Sequence, residues 1–438
     1  TAKMAKKIEW YHEFINKKYK PKKDDLSVLY YFEPDKGISK EDAIGRIASE
    51  SSSGTWTTLT NIPRLLPKVK AYAYNVKGNF VKIAYPRIIL EDGSVPGLMS
   101  GIGGNIFGMK AVKNLRLMDA ELPLDYVKDF KGPVYGRDVI KKIFKRKYGP
   151  ITSVVPKPKL GYTAKEHAEI VAKQIWMGGI DCIKDDENLT NQKFNRIADR
   201  VKYLARVRDN VMKETGEVKD AFINVTSPNL RELEKRVKLV HDYGFRYFML
   251  DVVVSGFSAV GTASELAHDY KMAIHGHRAM HSMFTKNPKH GMSMLFLAKL
   301  MRLMGVDQIH TGTFVGKLGG DKKEIIAMKE MLLSREIEEI NNLRMPQKWG
   351  NIKETLPVSS GGLHPGLLPL VFDLYGTTDL VLQVGGGILG HPDGAEAGAR
   401  AVIQSIEAYR KKISLEEYAE TNKELRMALE KWGHLRPR

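Results

Sequence analysis

From about residue 151 onward, short apolar runs alternate with segments whose apolar residues recur every three or four positions. Short apolar runs are typical of buried strands, and the longer period is typical of amphipathic helices. The pattern predicts eight strands: Ser153–Pro156, Asp181–Lys184, Ala221–Val225, Tyr247–Val252, Ala273–His277, Gln308–His310, Leu356–Ser359 and Leu380–Val384. Eight strand–helix units over about 280 residues predict an α/β fold, a (β/α)8 TIM barrel, with a doubly wound open sheet as the alternative.

Capping residues mark two of the predicted helices. Thr163 and Glu166 form a capping-box pattern before the apolar face of Val171 and Ile175, and Gly178-Gly179 supplies the stop. The second helix is predicted from three features: Ser227-Pro228 at its start, the apolar stripe Leu230, Leu233, Val237 and Val240, and Gly244 at its end.

The first part of the chain has a different pattern. Strands are predicted near Leu26–Phe32, Lys70–Tyr74 and Val81–Tyr85, and a helix around Lys40–Ser49. This mixture predicts an α+β amino-terminal domain over residues 1–146. Lys147-Tyr148-Gly149-Pro150 supplies the turn residues of a short linker. The barrel, with carboxyl-terminal helices, is expected over residues 151–438.

Composition narrows the class of protein. The chain has 438 residues, of which 43% are hydrophobic and 27% charged, as in an ordinary soluble globular protein. No run approaches the ~20 apolar residues of a membrane span, and the first residues lack the apolar core of a secretory signal. The single cysteine, Cys182, excludes an internal disulfide framework. We therefore expect a cytoplasmic protein with no membrane partner.

The chain is strongly basic, because 69 Lys and Arg residues against 51 Asp and Glu residues give a net charge of +18. Such an excess of positive charge is found in proteins that bind nucleic acid or anionic substrates, and also on solvated surfaces that have no specific partner. The densest basic clusters, at residues 17–23 and 141–147, come with no zinc-finger spacing or RNA-binding aromatic signature. A non-enzymatic nucleic-acid-binding protein is the alternative that charge alone suggests, and it predicts salt-sensitive binding. We expect no specific nucleic-acid partner.

Candidate chemistry is concentrated in Lys184-Asp185-Asp186-Glu187, at the end of the second predicted barrel strand. Side chains alternate along a strand, so Lys184 and Asp186 point the same way, and Glu187 can join them. Two convergent carboxylates suit a hard cation such as Mg²⁺. An ammonium would repel the metal, but CO₂ could convert the amine of Lys184 into an anionic carbamate ligand. The alternative is a solvated strand end with an internal Lys–Asp ion pair.

Polar or glycine-rich segments follow six of the predicted strands, at the end of a barrel where chemistry gathers. They are Lys157-Pro158-Lys159, Lys184–Glu187, His275–Arg278, His310–Thr313, Ser359–Gly362 and Gly385–Gly387. Glycine turns after strands seven and eight let backbone N–H groups approach a phosphate. Arg278 and His310 could hold a second phosphate. Two phosphate sites with a metal between them suggest a sugar bisphosphate.

Two lysines complete this set of candidates. Lys157 could exchange protons with the substrate. Lys317 lies between glycines in Gly316–Gly320, as a closing lid would require, with an ordinary flexible loop as the alternative.

In this order, the motifs resemble those of the large subunit of ribulose-1,5-bisphosphate carboxylase/oxygenase (rubisco). Lys157–Gly161 is similar to its proton-transfer lysine motif and Gly179–Asn188 to its activation segment. Glu50–Trp56 and Gly104–Gly108 look like the segments that complete a neighbouring subunit's site. Further matching segments are His275–Met280, His310–Lys317, Ser360–Gly362 and Gly385–Pro392.

The resemblance implies carboxylation and oxygenation of ribulose 1,5-bisphosphate with CO₂ and O₂, the carboxylation giving 3-phosphoglycerate through an enediolate. It implies Mg²⁺ as cofactor, with activating CO₂ bound as a carbamate on Lys184, and Lys184, Asp186 and Glu187 as metal ligands. The implied catalytic residues are Lys157, Lys159, Lys184, His277 and Lys317, with Glu50 and Asn105 from the partner chain. The implied substrate-binding residues are Thr55, Trp56, Arg278, His310, Ser360, Gly361, Gly362, Gly385 and Gly386.

Some details look closer to the archaeal (form III-like) type than to the plant type. Val155-Pro156 precedes the first lysine, Gly319 follows Leu318 where an acidic residue is usual, and little tail follows the last helical segment. The archaeal type implies a homodimer or ring of dimers, no small subunit, and a link to AMP metabolism. A rubisco-like enolase or isomerase acting on a methylthio sugar phosphate is the alternative. The presence of Lys317, His310, Ser360, Glu50 and Asn105 favours the carboxylase.

Overall fold

The computed structural model describes residues 10–54, 59–312 and 322–434. Two compact units are present, each assembled from three stretches of the chain. The amino-terminal unit comprises Thr1–Lys131, Met280–Leu303 and Ser334–Ile352, and the barrel unit comprises Gly132–Ala279, Met304–Leu333 and Lys353–Arg438. The continuous domains predicted from the sequence, residues 1–146 and 151–438, stay a prediction.

The strands of the described residues are numbered in chain order. They are β1 (Leu26–Pro34), β2 (Tyr72–Lys77), β3 (Phe80–Tyr85), β4 (Val112–Glu121), β5 (Ile151–Val154), β6 (Cys182–Lys184), β7 (Asp220–Phe222), β8 (Tyr247–Asp251), β9 (Ala273–His277), β10 (Gly291–Met292), β11 (Gln308–His310), β12 (Glu336–Ile337), β13 (Gln347–Lys348), β14 (Leu356–Ser360) and β15 (Val381–Val384).

The α-helices of the same residues are α1 (Lys40–Glu50), α2 (Leu66–Val69), α3 (Val95–Ile102), α4 (Leu124–Val127), α5 (Val139–Lys142), α6 (Ala164–Glu166), α7 (Lys173–Met177), α8 (Ile197–Thr215), α9 (Leu230–Asp242), α10 (Val252–Ser255), α11 (Phe257–Tyr270), α12 (Ser282–Thr285), α13 (Met294–Met304), α14 (Lys322–Leu333), α15 (Leu368–Tyr375), α16 (Gly386–Leu389), α17 (Ala395–Arg410), α18 (Leu415–Thr421) and α19 (Lys423–Trp432). A π-helical turn, His167–Ala172, connects α6 to α7. Among these described helices, none combines the length and the apolar character that a membrane crossing needs.

The amino-terminal unit is built on a five-stranded sheet in the order β10-β4-β1-β3-β2. β1 pairs with both β3 and β4 in antiparallel orientation, and α1 packs on β1 and β2. The buried face of α1 carries Ala43, Ile44, Ile47 and Ala48, as its apolar spacing predicts. The predicted helix and three predicted strands are confirmed here. Strand β4, which lies between β10 and β1 in this sheet, was not predicted.

The barrel unit contains an eight-stranded parallel sheet in the order β7-β6-β5-β15-β14-β11-β9-β8. A parallel bridge between Asn224 and Met249 joins the two ends of this order. The amide of Met249 donates to the carbonyl of Ile223 at 2.8 Å, and that of Val225 donates to the carbonyl of Met249 at 2.9 Å. The sheet therefore closes, and the predicted (β/α)8 barrel is confirmed.

Apolar side chains fill one part of the barrel interior. Strand residues including Ile151, Phe222 and Val358 form a buried cluster, which also takes in Ile140 and Phe144 from α5 and the residues after it. Polar and glycine residues follow the strands at their carboxyl ends, which is where barrels of this class bind ligands.

Of the two helix starts predicted from capping residues, the structure confirms one and contradicts the other. Thr163 and Glu166 form the predicted capping box. The predicted start of the next helix at Ser227-Pro228 is wrong: the cap of α9 is Asn229, whose side chain accepts a hydrogen bond from the Glu232 amide at 2.9 Å. The Ser227 hydroxyl instead donates to the carbonyl of Val225. Leu230 is 43% exposed and lies outside the buried stripe.

Candidate active site

Lys184 ends β6 with a fully buried side chain. Its Nζ donates to the carbonyl oxygen of Asp185 at 2.9 Å and lies 3.9 Å from Oδ1 of Asp186. Burial lowers the pKa of the Lys184 amine to about 8, although nearby carboxylates oppose this shift. The complete burial contradicts a solvated strand end. A buried amine that loses its proton near pH 8 is instead a candidate nucleophile.

Asp186 and Glu187 follow β6 and meet His277 from the end of β9. One ligand atom from each of these three residues lies within 4.8 Å of the other two. Burial alone would raise the pKa of the Asp186 carboxyl, but hydrogen bonding with His277 and Glu187 outweighs it and holds this pKa well below its ordinary value. Asp186 is therefore ionised, and two adjacent carboxylates supply the hard oxygen ligands that Mg²⁺ prefers.

Lys157 and Lys159 reach the same acidic cluster from the segment after β5. Nζ of Lys157 lies 3.7 Å from Oδ2 of Asp186, and Nζ of Lys159 lies 2.7 Å from Oε1 of Glu187. The hydrogen bond with Glu187 raises the pKa of the Lys159 amine. The structure thus brings all five charged residues of the predicted centre together: Lys157, Lys159, Lys184, Asp186 and Glu187.

Asp185 has different side-chain partners from Asp186, and the main one is Arg200, which sequence reasoning did not select. Nε of Arg200, on α8, donates to Oδ2 of Asp185 at 3.1 Å, and both side chains are buried. Arg200 also donates to the carbonyl oxygens of Asn195 and Thr190, at 2.9 and 2.8 Å. The amide of Asn224 donates to the same Asp185 oxygen at 2.9 Å. These bonds anchor the loop that follows Glu187.

Asp251, the last residue of β8, is a further acidic residue that sequence reasoning missed. Its Oδ1 lies 3.8 Å from Nδ1 of His277 and has no hydrogen-bond partner among the described residues. Its Oδ2 accepts from the side-chain amide of Asn224 at 3.3 Å. Burial raises the pKa of the Asp251 carboxyl to about 7. Its position at the carboxyl end of the fourth barrel strand was the signal that could have identified it.

The predicted substrate-binding residues of the barrel unit lie at the ends of β9, β11, β14 and β15. Nδ1 of His310 is 3.1 Å from Oγ of Ser360. Gly361 and Gly362 adopt φ values of 96° and 68°, a backbone conformation that favours glycine. The predicted anion-binding residues Arg278, Gly385 and Gly386 follow β9 and β15, and burial lowers the pKa of the Arg278 guanidinium. A methyl group at Gly385 would lie 3.6 Å from Cε of Lys157, so the loops after β5 and β15 are neighbours.

Two predicted residues belong to the amino-terminal unit. Glu50 and Asn105 line one cavity of about 600 Å³, together with Ser51, Ser52, Met99, Ser100, Gly101 and Gly104. Thr55, Trp56 and Lys317, the other predicted residues, lie outside the described residues.

Family models match both parts of the chain. Residues 13–126 match the ribulose bisphosphate carboxylase large chain N-terminal domain, and residues 136–432 match the catalytic domain of the same large chain. The ribulose bisphosphate carboxylase of Pyrococcus abyssi is 50% identical over 436 residues, which cover 99% of each chain.

Solved structures give the same result. The dimeric archaeal rubisco of Hyperthermus butylicus superposes with a TM-score of 0.92 at 47% identity, over 97% of this chain and 100% of that one. The octameric ribulose-1,5-bisphosphate carboxylase/oxygenase of Pyrococcus horikoshii, in a complex with sulfate, has a TM-score of 0.91 at 48% identity, over 97% of each chain. The chain belongs to the ribulose bisphosphate carboxylase large-chain family, and its near relatives are archaeal.

Proposed function

We propose that the protein carboxylates and oxygenates ribulose 1,5-bisphosphate, and that the carboxylation gives two molecules of 3-phosphoglycerate. The observation that carries this proposal is the buried Lys184 amine beside the side chains of Asp186 and Glu187, at the carboxyl end of β6 in a chain of this family. The substrate is inferred from the names of the relatives, and the charged residues of the site are of the kinds that the carboxylation of this substrate requires.

Activation begins with the Lys184 amine. The ammonium first loses one proton, and the nitrogen of the neutral amine then attacks the carbon of CO₂. An N–C bond forms and a second N–H proton is lost, so that a cationic side chain becomes an anionic carbamate. The pKa of about 8 makes the required neutral amine accessible near neutral pH. The carbamate, Asp186 and Glu187 would then hold Mg²⁺. Bound there, the metal would stabilise negative charge that develops on substrate oxygens.

The residues of the cluster would also transfer protons and orient the charged groups of the site. The carbamate of Lys184 would accept the proton from C3 of the substrate, which gives the enediolate. Lys157 is half exposed at 51%, so its amine can reach both substrate and solvent while it stays 3.7 Å from Asp186. Lys159 is tied to Glu187 and would orient that carboxylate. His277 lies 3.6 Å from Asp186 and would contact the reacting hydroxyl region.

Two groups of residues would hold the phosphates. Arg278 would bind one phosphate group through a charge-assisted hydrogen bond, and His310 would act on it through the hydroxyl of Ser360, whose Oγ lies 3.1 Å from Nδ1 of His310. The backbone amides of Gly361, Gly362, Gly385 and Gly386 would bind the other, because glycine lets the backbone approach an anion closely. Among the described residues, no atom lies within 4 Å of the positions that a methyl group would take at Gly362 and Gly386, which leaves room for a ligand.

The partner subunit would complete the site. Glu50, Thr55, Trp56 and Asn105 would reach the barrel of a neighbouring chain, and Lys317 would orient CO₂ from its own loop. A dimer is then the smallest active unit, which agrees with the dimeric and octameric assemblies named for the structural neighbours.

Product analysis tests this function. The purified protein is incubated with ribulose 1,5-bisphosphate, Mg²⁺ and bicarbonate, and we expect 3-phosphoglycerate. The Lys184→Ala variant, which cannot form the carbamate, should give none. A folded protein that makes no 3-phosphoglycerate but isomerises a methylthio sugar phosphate would overturn the proposal in favour of the enolase-type alternative.

A further inference from the structure

A chain of four polar side chains leads from the substrate-binding loop into the interior of the barrel. Oγ of Ser360 lies 3.1 Å from Nδ1 of His310, and Nε2 of His310 lies 3.1 Å from Nε2 of His275. Nδ1 of His275 lies 2.6 Å from Nε2 of Gln308. Of these residues, His275 and Gln308 have no exposed surface and His310 is 4% exposed. We call this set the Ser360–Gln308 chain.

Ring packing fixes the orientation of both imidazoles. The His275 ring stacks on Phe222 with centroids 4.6 Å apart and planes 9° apart. It meets the His310 ring edge-on, at 85° and 5.0 Å. Because a dense barrel interior resists ring rotation, each ring nitrogen keeps its partner, and only the positions of the protons remain to be determined.

Hydrogen-bond chemistry determines those positions. Each imidazole is neutral, because burial lowers the pKa of both His275 and His310 well below the ordinary value. A neutral imidazole carries one N–H donor and one acceptor nitrogen. The Gln308 amide donates to Nδ1 of His275, so the His275 proton is on Nε2. It is donated to Nε2 of His310, so the His310 proton is on Nδ1 and is donated to Ser360.

We propose that Gln308 and His275 are positioning residues that place the His310 proton on Nδ1, so that the Ser360 oxygen accepts from His310 and its own hydrogen points to a substrate oxygen. A hydroxyl held in this way is a directed donor for an anionic ligand. If the hydrogen bond ran the other way, the Ser360 hydroxyl would donate its hydrogen to Nδ1 of His310. Its oxygen would then present a lone pair to the anionic ligand, and the two would repel each other. The nature of the ligand rests on the proposed function, whereas the proton positions do not.

The proton positions are measured first, in the complete protein without substrate. Nitrogen-15 NMR of histidine-labelled protein distinguishes protonated from unprotonated ring nitrogens, and single His→Gln replacements assign the signals. We expect a proton on Nε2 of His275 and on Nδ1 of His310. The opposite pair of tautomers, or rapid averaging of both rings between tautomers, would overturn the proposal. No variant has to be active for this result.

Kinetics then tests the connection to Ser360. Gln308→Leu removes the N–H donor that keeps the proton of His275 on Nε2. The NMR signals of both histidines should then show mixed tautomers. Loss of one neutral hydrogen bond corresponds to roughly a two- to tenfold rise in KM for the bisphosphate, with a smaller change in kcat. In a Ser360→Ala background the same substitution should leave KM nearly unchanged. An equal rise in KM in both backgrounds would contradict a role through Ser360.

A matched control removes another buried glutamine. Gln404, on α17, donates to Glu424 and belongs to neither the acidic cluster nor the Ser360–Gln308 chain. Gln404→Leu should alter neither the tautomers nor KM. If the wild-type protein fixes no CO₂ but has the expected tautomers, the proposed function fails and the proton assignment stands. If it fixes CO₂ but its tautomers average, the proton assignment fails alone.

Discussion

Asp185 and Arg200 form a buried ion pair, with 3.1 Å between Oδ2 and Nε, and the neighbouring Asp186 carboxylate has other partners. Consecutive residues at the end of one strand therefore serve two purposes. Asp186 faces Lys184, His277 and the lysines after β5, whereas Asp185 secures the following loop to α8. The alternation of side chains along an extended segment produces this division.

Removing Arg200 should destabilise the protein and disturb the acidic cluster. In Arg200→Met, Asp185 stays buried without its cation, and loss of one partner of a buried pair costs about 3–5 kcal/mol. We expect a clear fall in Tm and weaker Mg²⁺ binding, measured by thermal unfolding and titration calorimetry. Lys238→Met, which breaks an exposed pair with Asp242 on α9, is the control and should change stability by roughly 0.5 kcal/mol or less. Equal effects of the two variants would contradict this role for the Asp185–Arg200 pair.

The rate of activation should depend on pH through Lys184. Its lowered pKa of about 8 means that the reactive neutral amine is scarce below pH 8 and predominates above it. At a fixed concentration of dissolved CO₂, the initial rate of carbamate formation should rise about tenfold per pH unit below pH 8 and then level off. Carbon-13 NMR of the carbamate, recorded without substrate, measures it. A rate that continues to rise toward pH 10.5 would mean that the Lys184 amine has the pKa of an ordinary lysine, and would contradict this prediction.

Adjacent glycines after β15 should respond differently to alanine. A methyl group at Gly387 would overlap the carbonyl oxygen of Leu363, in the loop after β14, whereas a methyl group at Gly386 meets no atom of the residues that the structure describes within 4 Å. Gly387→Ala should therefore lower Tm and activity together, because the two loops must separate. Gly386→Ala should keep the wild-type Tm and raise KM for the bisphosphate, because its methyl group fills the proposed phosphate site. A reduced Tm with unchanged KM in Gly386→Ala would count against a phosphate there.

Subunit mixing tests whether the site is shared. Glu50→Gln and Lys184→Ala should each be inactive, since each removes a group that the proposed reaction needs. In a mixed dimer, one of the two sites combines an intact Glu50 with an intact Lys184, so activity should return after subunit exchange. Mass spectrometry of differently tagged chains shows whether exchange has occurred. Proven exchange without recovered activity would argue against a site completed by Glu50.

The barrel was predictable because its strands are apolar and regularly spaced. The predicted and observed bounds agree fully for β9 and β11. β4 escaped prediction because it buries charged residues whose partners are distant in sequence. Arg116 donates to the carbonyl of Thr285, and Asp119 pairs with Lys299 at 2.9 Å with both side chains fully buried. A hydrophobicity pattern cannot reveal a strand whose polar positions are satisfied by tertiary contacts.

The acidic cluster was predictable because its members are close together in the sequence. Lys184, Asp186 and Glu187 are nearly consecutive, so the strand period alone brings them together. Asp185, Asp251 and His275 gain their roles from residues on other elements, among them Arg200, Asn224 and Gln308. Those relationships depend on barrel closure and helix packing, which the sequence pattern does not specify residue by residue.

The most direct test of the account is fixation of labelled CO₂ into 3-phosphoglycerate from ribulose 1,5-bisphosphate. One sample is preincubated with Mg²⁺ and bicarbonate, and a second receives both only together with the substrate. We predict that the preincubated sample starts at its full rate and that the other starts slowly and accelerates as Lys184 is carbamylated. Label absent from 3-phosphoglycerate in both samples, from a folded dimer that binds Mg²⁺, would contradict the account.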